Sequence, residues 1–210
     1  MKKRLGFYKN LILALASALT LIAVSFAWFT SPSENLVPSI VGTVNNPTYA
    51  SVMYYVADDY DNYSRLDGNM ELKDWVSGSF QKYKLIMTTT TDEPLKLGMS
   101  IDNLPSNMNA DLKNSVQVKY TVYKAVKQTD KDGKISFTDG EKLFGSEYMR
   151  LSECLNGIIF EGRSLEAHQA GVNDVFLIYY EIGLAADSPS TIQGMSSSLG
   201  KLQINVQPVS

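Results

Sequence analysis

Three aspartates in the middle of the chain have the residue type and nearly the spacing of a calcium-binding loop. Aligned on Gly133, Asp130, Asp132 and Asp139 fall at the third, fifth and twelfth places of an EF-hand loop. The first place needs a carboxylate, and here it is Gln128. Because Asp-Gly is also a strong β-hairpin signal, the sequence leaves two hypotheses open: weak calcium ligation by these aspartates, or a plain hairpin turn.

A second acidic cluster lies in residues 58–74, where the sequence lacks a clean period. Its oxygen-bearing side chains could bind calcium, and its interleaved tyrosines could offer an aromatic surface to sugars. A solvated loop explains the same composition more simply, so we predict a long exposed loop at 58–74. The residues that carry these readings are Asp58, Asp59, Tyr60, Asp61, Asn62, Tyr63 and Asp67.

No motif in the chain indicates an enzyme. His168 is the only histidine, and neither an HExxH nor a Gly-x-Ser-x-Gly motif is present. Cys154 is the only cysteine, so no disulfide can form within the chain, and its apolar surroundings predict a small buried side chain. We therefore predict a non-enzymatic protein with no cofactor other than the calcium considered above.

The N-terminal segment addresses the chain to a membrane. Residues 11–29 carry no charge and follow a basic cluster, as in an export signal. Ser25 and Ala27 stand at the −3 and −1 places of a signal-peptidase site, so we predict a signal peptide over 1–27 and a mature chain from Trp28. Two alternatives remain: a membrane helix retained to about residue 29, or a prepilin-like cleavage before Phe7, although the glutamate typical of bacterial type IV pilins is missing.

Composition narrows the partners of the mature chain. The formal net charge of −3 and the pI near 5.2 give no large basic surface, so nucleic acid is not expected as a partner. The membrane is expected as a partner of the N-terminal segment before processing. The remaining length suits one domain with its own core.

The rest of the chain reads as short strands separated by turn signals. A Pro- and Ser-rich connector over 28–38 precedes the first strand candidate, at 39–44. Period-two alternation predicts further strands at 51–57, 79–91, 94–101, 115–127 and 134–137, then at 157–160, 174–184 and 200–206, with tight turns at Asp132-Gly133 and Asp139-Gly140.

The number and spacing of these strands predict the fold class. Eight to ten strands with no sustained helical period after residue 30 are typical of two packed antiparallel sheets. Strand 174–184 is nearly continuous in apolar residues, as expected of a central strand covered on both faces. We predict an all-β, jelly-roll-like sandwich over residues 39–210, preceded by an N-terminal hydrophobic helix.

Two parts of the chain resemble one family. The apolar run ending in Ser25-Phe26-Ala27-Trp28-Phe29-Thr30 is similar to the export signals of TasA- and camelysin-like proteins of Gram-positive bacteria. The C-terminal order of a strand at 175–181, a polar loop, Gln193-Gly194 and a last strand at 201–206 also resembles that family. The resemblance covers about a third of the chain. It implies a surface-exported jelly-roll subunit, which in some members polymerises by lending an N-terminal strand to the next subunit.

These observations together predict a bacterial, secreted or cell-surface structural protein, a subunit or accessory of an extracellular fibre or biofilm matrix. Its expected partners are further copies of itself or other matrix proteins. The alternatives are a pilin-like or anchored subunit that keeps its N-terminal helix, and a surface module that binds carbohydrate or protein. The expected assembly strand comprises Ser39, Ile40, Val41, Gly42, Thr43 and Val44.

Overall fold

The computed structural model describes residues 43–45, 49–66, 76–91, 93–102, 108–165, 174–192 and 201–209. The chain divides into two compact units, Met1–Asn35 and Leu36–Ser210, and all described residues belong to the second. The predicted signal segment, with its processing residues Ser25, Ala27 and Trp28, therefore lies outside them. In the described ranges, no helix combines the length and the apolar character needed to cross a membrane.

Strands account for most of the described chain. The elements are β1 (Thr43–Asn45), β2 (Ala50–Ala57), β3 (Tyr63–Arg65), β4 (Phe80–Thr89), β5 (Leu95–Asp102), α1 (Ala110–Ser115), β6 (Val116–Thr129), β7 (Ile135–Gly145), β8 (Met149–Arg150), β9 (Ile158–Ser164), β10 (Val175–Leu184) and β11 (Lys201–Pro208). In β4 and the first half of β6 alternate side chains are buried, which is the pattern that the sequence shows there.

The strands form two sheets. The small sheet has the order β1-β11-β5-β9, and the large sheet has the order β3-β2-β4-β10-β6-β7. Strand β8 pairs with the start of β6, on the edge that β7 occupies farther along. The pairings between these strands are antiparallel except that of β1 with β11, which is parallel.

One hydrophobic core joins the two sheets. It contains Leu97 and Ile204 from the small sheet together with Leu85 and Ile178 from the large sheet, all with no exposed surface. The ring of Tyr120 on β6 stacks on that of Phe160 on β9, with the ring centroids 4.3 Å apart. The predicted two-sheet, mostly β architecture is confirmed at this level, and β10 is central in its sheet as expected.

Strand β3 and helix α1 were not predicted, because each is shorter than the window in which a period can be recognised. For residues 148–155 the sequence left a helical turn and a strand open, and the structure contains both. Strand β3 lies inside the segment predicted as a continuous loop, 58–74. Strand β8 is two residues long and leads into a 3₁₀ turn at Leu151–Glu153. Helix α1 has six residues, and its N-cap is Asn109, whose Oδ1 accepts hydrogen bonds from the backbone N–H of Asp111 and Leu112.

The tight turn predicted at Asp139-Gly140 is wrong. Strand β7 continues through both residues, and the pairing with β6 shifts register there: Ala125 faces Asp139, whereas Tyr123 faces Lys142. The dipeptide therefore occupies a β-bulge. Gly140 is required by close approach, since a Cβ at this position would lie 2.5 Å from the backbone oxygen of Lys124.

Candidate assembly site

The edge of the small sheet at β11 holds the described end of the predicted assembly strand. Thr43 pairs with Gln203, Val44 with Ile204 and Asn45 with Asn205, in parallel. Strand β1 thus covers three of the eight residues of β11. The other four residues of the candidate strand, 39–42, lie outside the described part of the chain.

Strand β11 itself is regular. It pairs with β5 through eight consecutive residues without a register shift, from Lys201 with Asp102 to Pro208 with Leu95. Leu202, Ile204 and Val206 point into the core with no exposed surface. The backbone of β11 is therefore held in a regular extended conformation by β5 and the core.

Three other edge strands, β3, β7 and β9, have features that hinder pairing with another chain. Strand β7 has register shifts at two places and exposes the charged side chains of Asp139, Glu141 and Lys142. Strand β9 is also bulged, exposes Glu161 and Arg163, and carries Gly162 at φ +65°. Strand β3 is three residues long. Bulges, edge charges and short strands are the devices that keep sheet edges from pairing with other chains.

The calcium candidates belong to two different places. Asp130 closes the predicted hairpin: its Oδ1 accepts the backbone N–H groups of Asp132 and Lys134 at 2.9 and 2.8 Å. Asp139 lies on β7 and accepts a hydrogen bond of 2.6 Å from the hydroxyl of Tyr179. Among the described residues, no group of three or more His, Cys, Asp or Glu side chains could hold a metal ion. The hairpin predicted at Asp132-Gly133 is present.

The first part of the acidic cluster is a tight turn between β2 and β3. Asp58 Oδ1 accepts the backbone N–H groups of Tyr60 and Asn62, and the bonds with Asn62 lower the pKa of Asp58. Asp61 adopts φ +60° and pairs with Lys82 at 2.7 Å. Asp59 and Tyr60 are exposed, and Asp67 lies outside the described residues.

The tyrosines predicted as core or sheet-face residues divide between the two faces of the large sheet. Tyr54 and Tyr180 point inward, and burial raises the pKa of Tyr54 to about 12 and that of Tyr180 well above its ordinary value. Tyr179 points outward beside Tyr63 and Tyr123. Burial, and then the bond to Asp139, raise the pKa of Tyr179 well above its ordinary value.

The outer face of the large sheet was not predicted as a surface of interest. Lys84 Nζ lies 5.8 Å from the ring centroid of Tyr63 and 5.4 Å from that of Tyr179, and Lys119 Nζ lies 4.9 Å from that of Tyr148. The Tyr63 and Tyr179 rings meet at 69°, and those of Tyr123 and Tyr179 at 85°. These rings are edge to face, and lysines cover several of them, so they do not form the flat platform that a sugar ring needs.

The single cysteine and the single histidine of the sequence lie in different parts of the chain. Cys154 is buried as predicted, and burial, followed by the nearby charge of Glu153, raises the pKa of its thiol. His168 lies outside the described residues.

Comparisons with known proteins add no relative. No protein-family model, curated protein or solved structure matches the chain. The resemblance to TasA- and camelysin-like proteins therefore stays a prediction from the residues given above.

Proposed function

We propose that the protein is an exported, non-enzymatic structural subunit of the bacterial cell surface that assembles into a fibre or matrix by accepting an extended segment of another copy at β11. The observation that carries this proposal is the regular pairing of β11, which pairs with β5 over eight residues without a register shift and, among the described residues, with β1 over three. The edge strands β3, β7 and β9 are short, bulged or charged. A partly covered regular edge offers backbone donors and acceptors to an incoming strand.

The proposed donor is the segment at 39–44. In an extended conformation alternate residues of this segment, such as Ile40 and Val44, would share one face. Pro32 and Pro38 lack the N–H that a central strand donates, which limits the donor to the residues after them. The same short segment could therefore pair with its own β11 or with that of a neighbour.

The finer fold assignment that we propose is a jelly roll. Successive strands β4, β5 and β6 alternate between the sheets, as do β9, β10 and β11. The last two strands insert between earlier ones, β10 between β4 and β6, and β11 between β1 and β5. Strands that alternate sheets and interleave in this way are typical of the double-sheet jelly roll.

The test is polymerisation of the exported chain with a proline in the donor segment. Val41→Pro removes an N–H in the middle of 39–44, so we expect it to abolish fibres seen by electron microscopy and light scattering. The matched control is Ser33→Pro in the connector, which should polymerise like the unchanged protein. Circular dichroism verifies that both variants are folded. Polymerisation by Val41→Pro, or none by the unchanged protein, would contradict the proposal.

Export is tested separately, by the N-terminus of the protein recovered from its native cell surface. Intact mass and N-terminal sequencing should give a start at Trp28, the product of cleavage after Ala27. A start at Met1 or Phe7 would instead establish a retained helix, and the anchored or pilin-like alternative would replace the freed subunit.

A further inference from the structure

Three rows of side chains cross the outer face of the large sheet, each running from β2, or the turn between β2 and β3, through β4 and β10 to β6. The registers of β10 with β4 and with β6 define the members on those strands. The charged row is Asp61, Lys82, Glu181 and Lys119; the middle row is Tyr55, Lys84, Tyr179 and Thr121; the apolar row is Met53, Ile86, Leu177 and Tyr123. Within the apolar row Leu177 has no exposed surface, so its neighbours provide the contacts.

The charged row alternates in sign across the sheet. Asp61 pairs with Lys82 at 2.7 Å, Lys82 is directly opposite Glu181, and Glu181 is directly opposite Lys119. The sequence of charges is therefore minus, plus, minus, plus. Reversing such a row places each charge over its opposite, which makes the row complementary to a reversed copy of itself.

A single axis reverses all three rows together. A two-fold axis parallel to the strands and midway between β4 and β10 would put Lys82 over Glu181 of a second copy, and Asp61 over its Lys119. The same operation puts Lys84 over a Tyr179 ring in the middle row, and Met53 against Tyr123 in the apolar row. Ammonium on tyrosine and thioether on tyrosine are both favourable contacts.

The face is also large and aromatic enough for a stable contact. Strands about 4.8 Å apart that rise about 3.4 Å per residue give four strands and their flanks an area of roughly 700 Å². A standard protein interface buries about 800 Å² per partner. Tyrosine and methionine side chains in the middle and apolar rows, with the charged row along the opposite border, are residue types found in interface centres and rims.

We propose that the outer face of the large sheet is the interface of a two-fold dimer, and that the occupant is a second copy of this chain. This face belongs to a different sheet from β11, so the inference does not depend on strand donation. In a fibre built through β11, the same contact would join neighbouring fibres side by side.

The test uses charge reversal and mixing in the full exported chain. All variants carry Val41→Pro, so that polymerisation through β11 does not obscure the dimer. Lys82→Glu alone puts glutamates over Glu181 of the other copy, and Glu181→Lys alone puts lysines over Lys82. Each should weaken dimerisation at least about 10-fold in sedimentation equilibrium, because two attractive contacts become repulsive.

Mixing distinguishes contacts between copies from contacts within one copy. In an equimolar mixture of Lys82→Glu and Glu181→Lys, both cross-copy pairs are again glutamate with lysine, so we expect a heterodimer. Lys96→Glu, the same charge change on the small sheet, should leave dimerisation unchanged. A monomeric parent chain, or a mixture that stays monomeric, would overturn the dimer while leaving the β11 proposal to its own polymerisation test.

Discussion

Two adjacent tyrosines of β10 point to opposite faces of the sheet, and we expect their replacement by phenylalanine to change the free energy of unfolding in opposite directions. The Tyr180 side chain is fully buried, and its hydroxyl has no hydrogen-bond partner among the residues that the structure describes. An unpaired buried hydroxyl costs free energy, so Tyr180→Phe should raise the free energy of unfolding by about 1 kcal/mol. Tyr179→Phe removes the bond to Asp139 and should lower it by about 1 kcal/mol.

Urea denaturation of both variants measures these changes. The two positions share a strand, so each variant controls for the other. A stability loss in Tyr180→Phe would contradict the expected relief of an unpaired hydroxyl.

At the scale of residues, the sequence predicted burial better than pairing. The burial of Cys154 and of alternate strand positions followed from local composition. By contrast, the bond between Tyr179 and Asp139 joins strands β10 and β7, which are separated in the sheet by β6. Contacts of this kind depend on strand order and register, and neither can be derived from one strand's pattern.

At the scale of elements, the β7 bulge makes a specific prediction. Gly140→Ala places a methyl group against the backbone oxygen of Lys124, and we expect it to lower the free energy of unfolding by about 1–3 kcal/mol. The control is Gly133→Asn at the hairpin tip, where φ is +79°. No described atom outside the neighbouring residues lies within 4 Å of a Cβ placed there. Asparagine tolerates that conformation, so the change should be within about 0.5 kcal/mol.

Urea denaturation again gives the comparison. If Gly140→Ala were as mild as Gly133→Asn, the close approach at the bulge would not govern the stability of this strand.

The two Asp-Gly dipeptides explain where element prediction succeeds and fails. At Asp132-Gly133 the chain turns, and Asp130 binds the turn N–H groups. At Asp139-Gly140 the same dipeptide sits opposite a continuous β6, which holds β7 extended and converts the glycine into a bulge. The long strands were predicted because alternation of polar and apolar residues is visible within each strand. Whether an Asp-Gly dipeptide forms a turn or a bulge depends on whether a neighbouring strand continues opposite it, which the local sequence does not show.

For the whole molecule, tyrosines with raised pKa values predict an alkaline limit to stability. The pKa values of Tyr54 and Tyr148 are raised to about 12, by burial in both cases and also by the hydrogen bond to Glu181 in Tyr148. An unfolded tyrosine ionises near pH 10. Because the folded values are higher, their contribution is fully present below about pH 10 and is lost as the pH rises toward 12.

The urea concentration at the midpoint of denaturation should therefore decrease as the pH rises from about 10 to about 12. Phenolate absorbance of the folded protein should show a tyrosine that ionises at a higher pH than an unfolded tyrosine does. Tyr148→Phe should make the fall shallower. A midpoint that stays constant to pH 12 would contradict this account.

The single thiol, Cys154, allows local opening of the structure to be measured by chemical labelling. Cys154 is 3 % exposed and follows the 3₁₀ turn Leu151–Glu153, which links β8 of the large sheet to β9 of the small sheet by way of a second 3₁₀ turn, Leu155–Gly157. A thiol reagent can reach its Sγ only when this segment between β8 and β9 moves away from the core. The rate at which the reagent labels Cys154 therefore measures how often this segment opens, with no engineered label. The dependence of that rate on denaturant concentration distinguishes local opening from global unfolding.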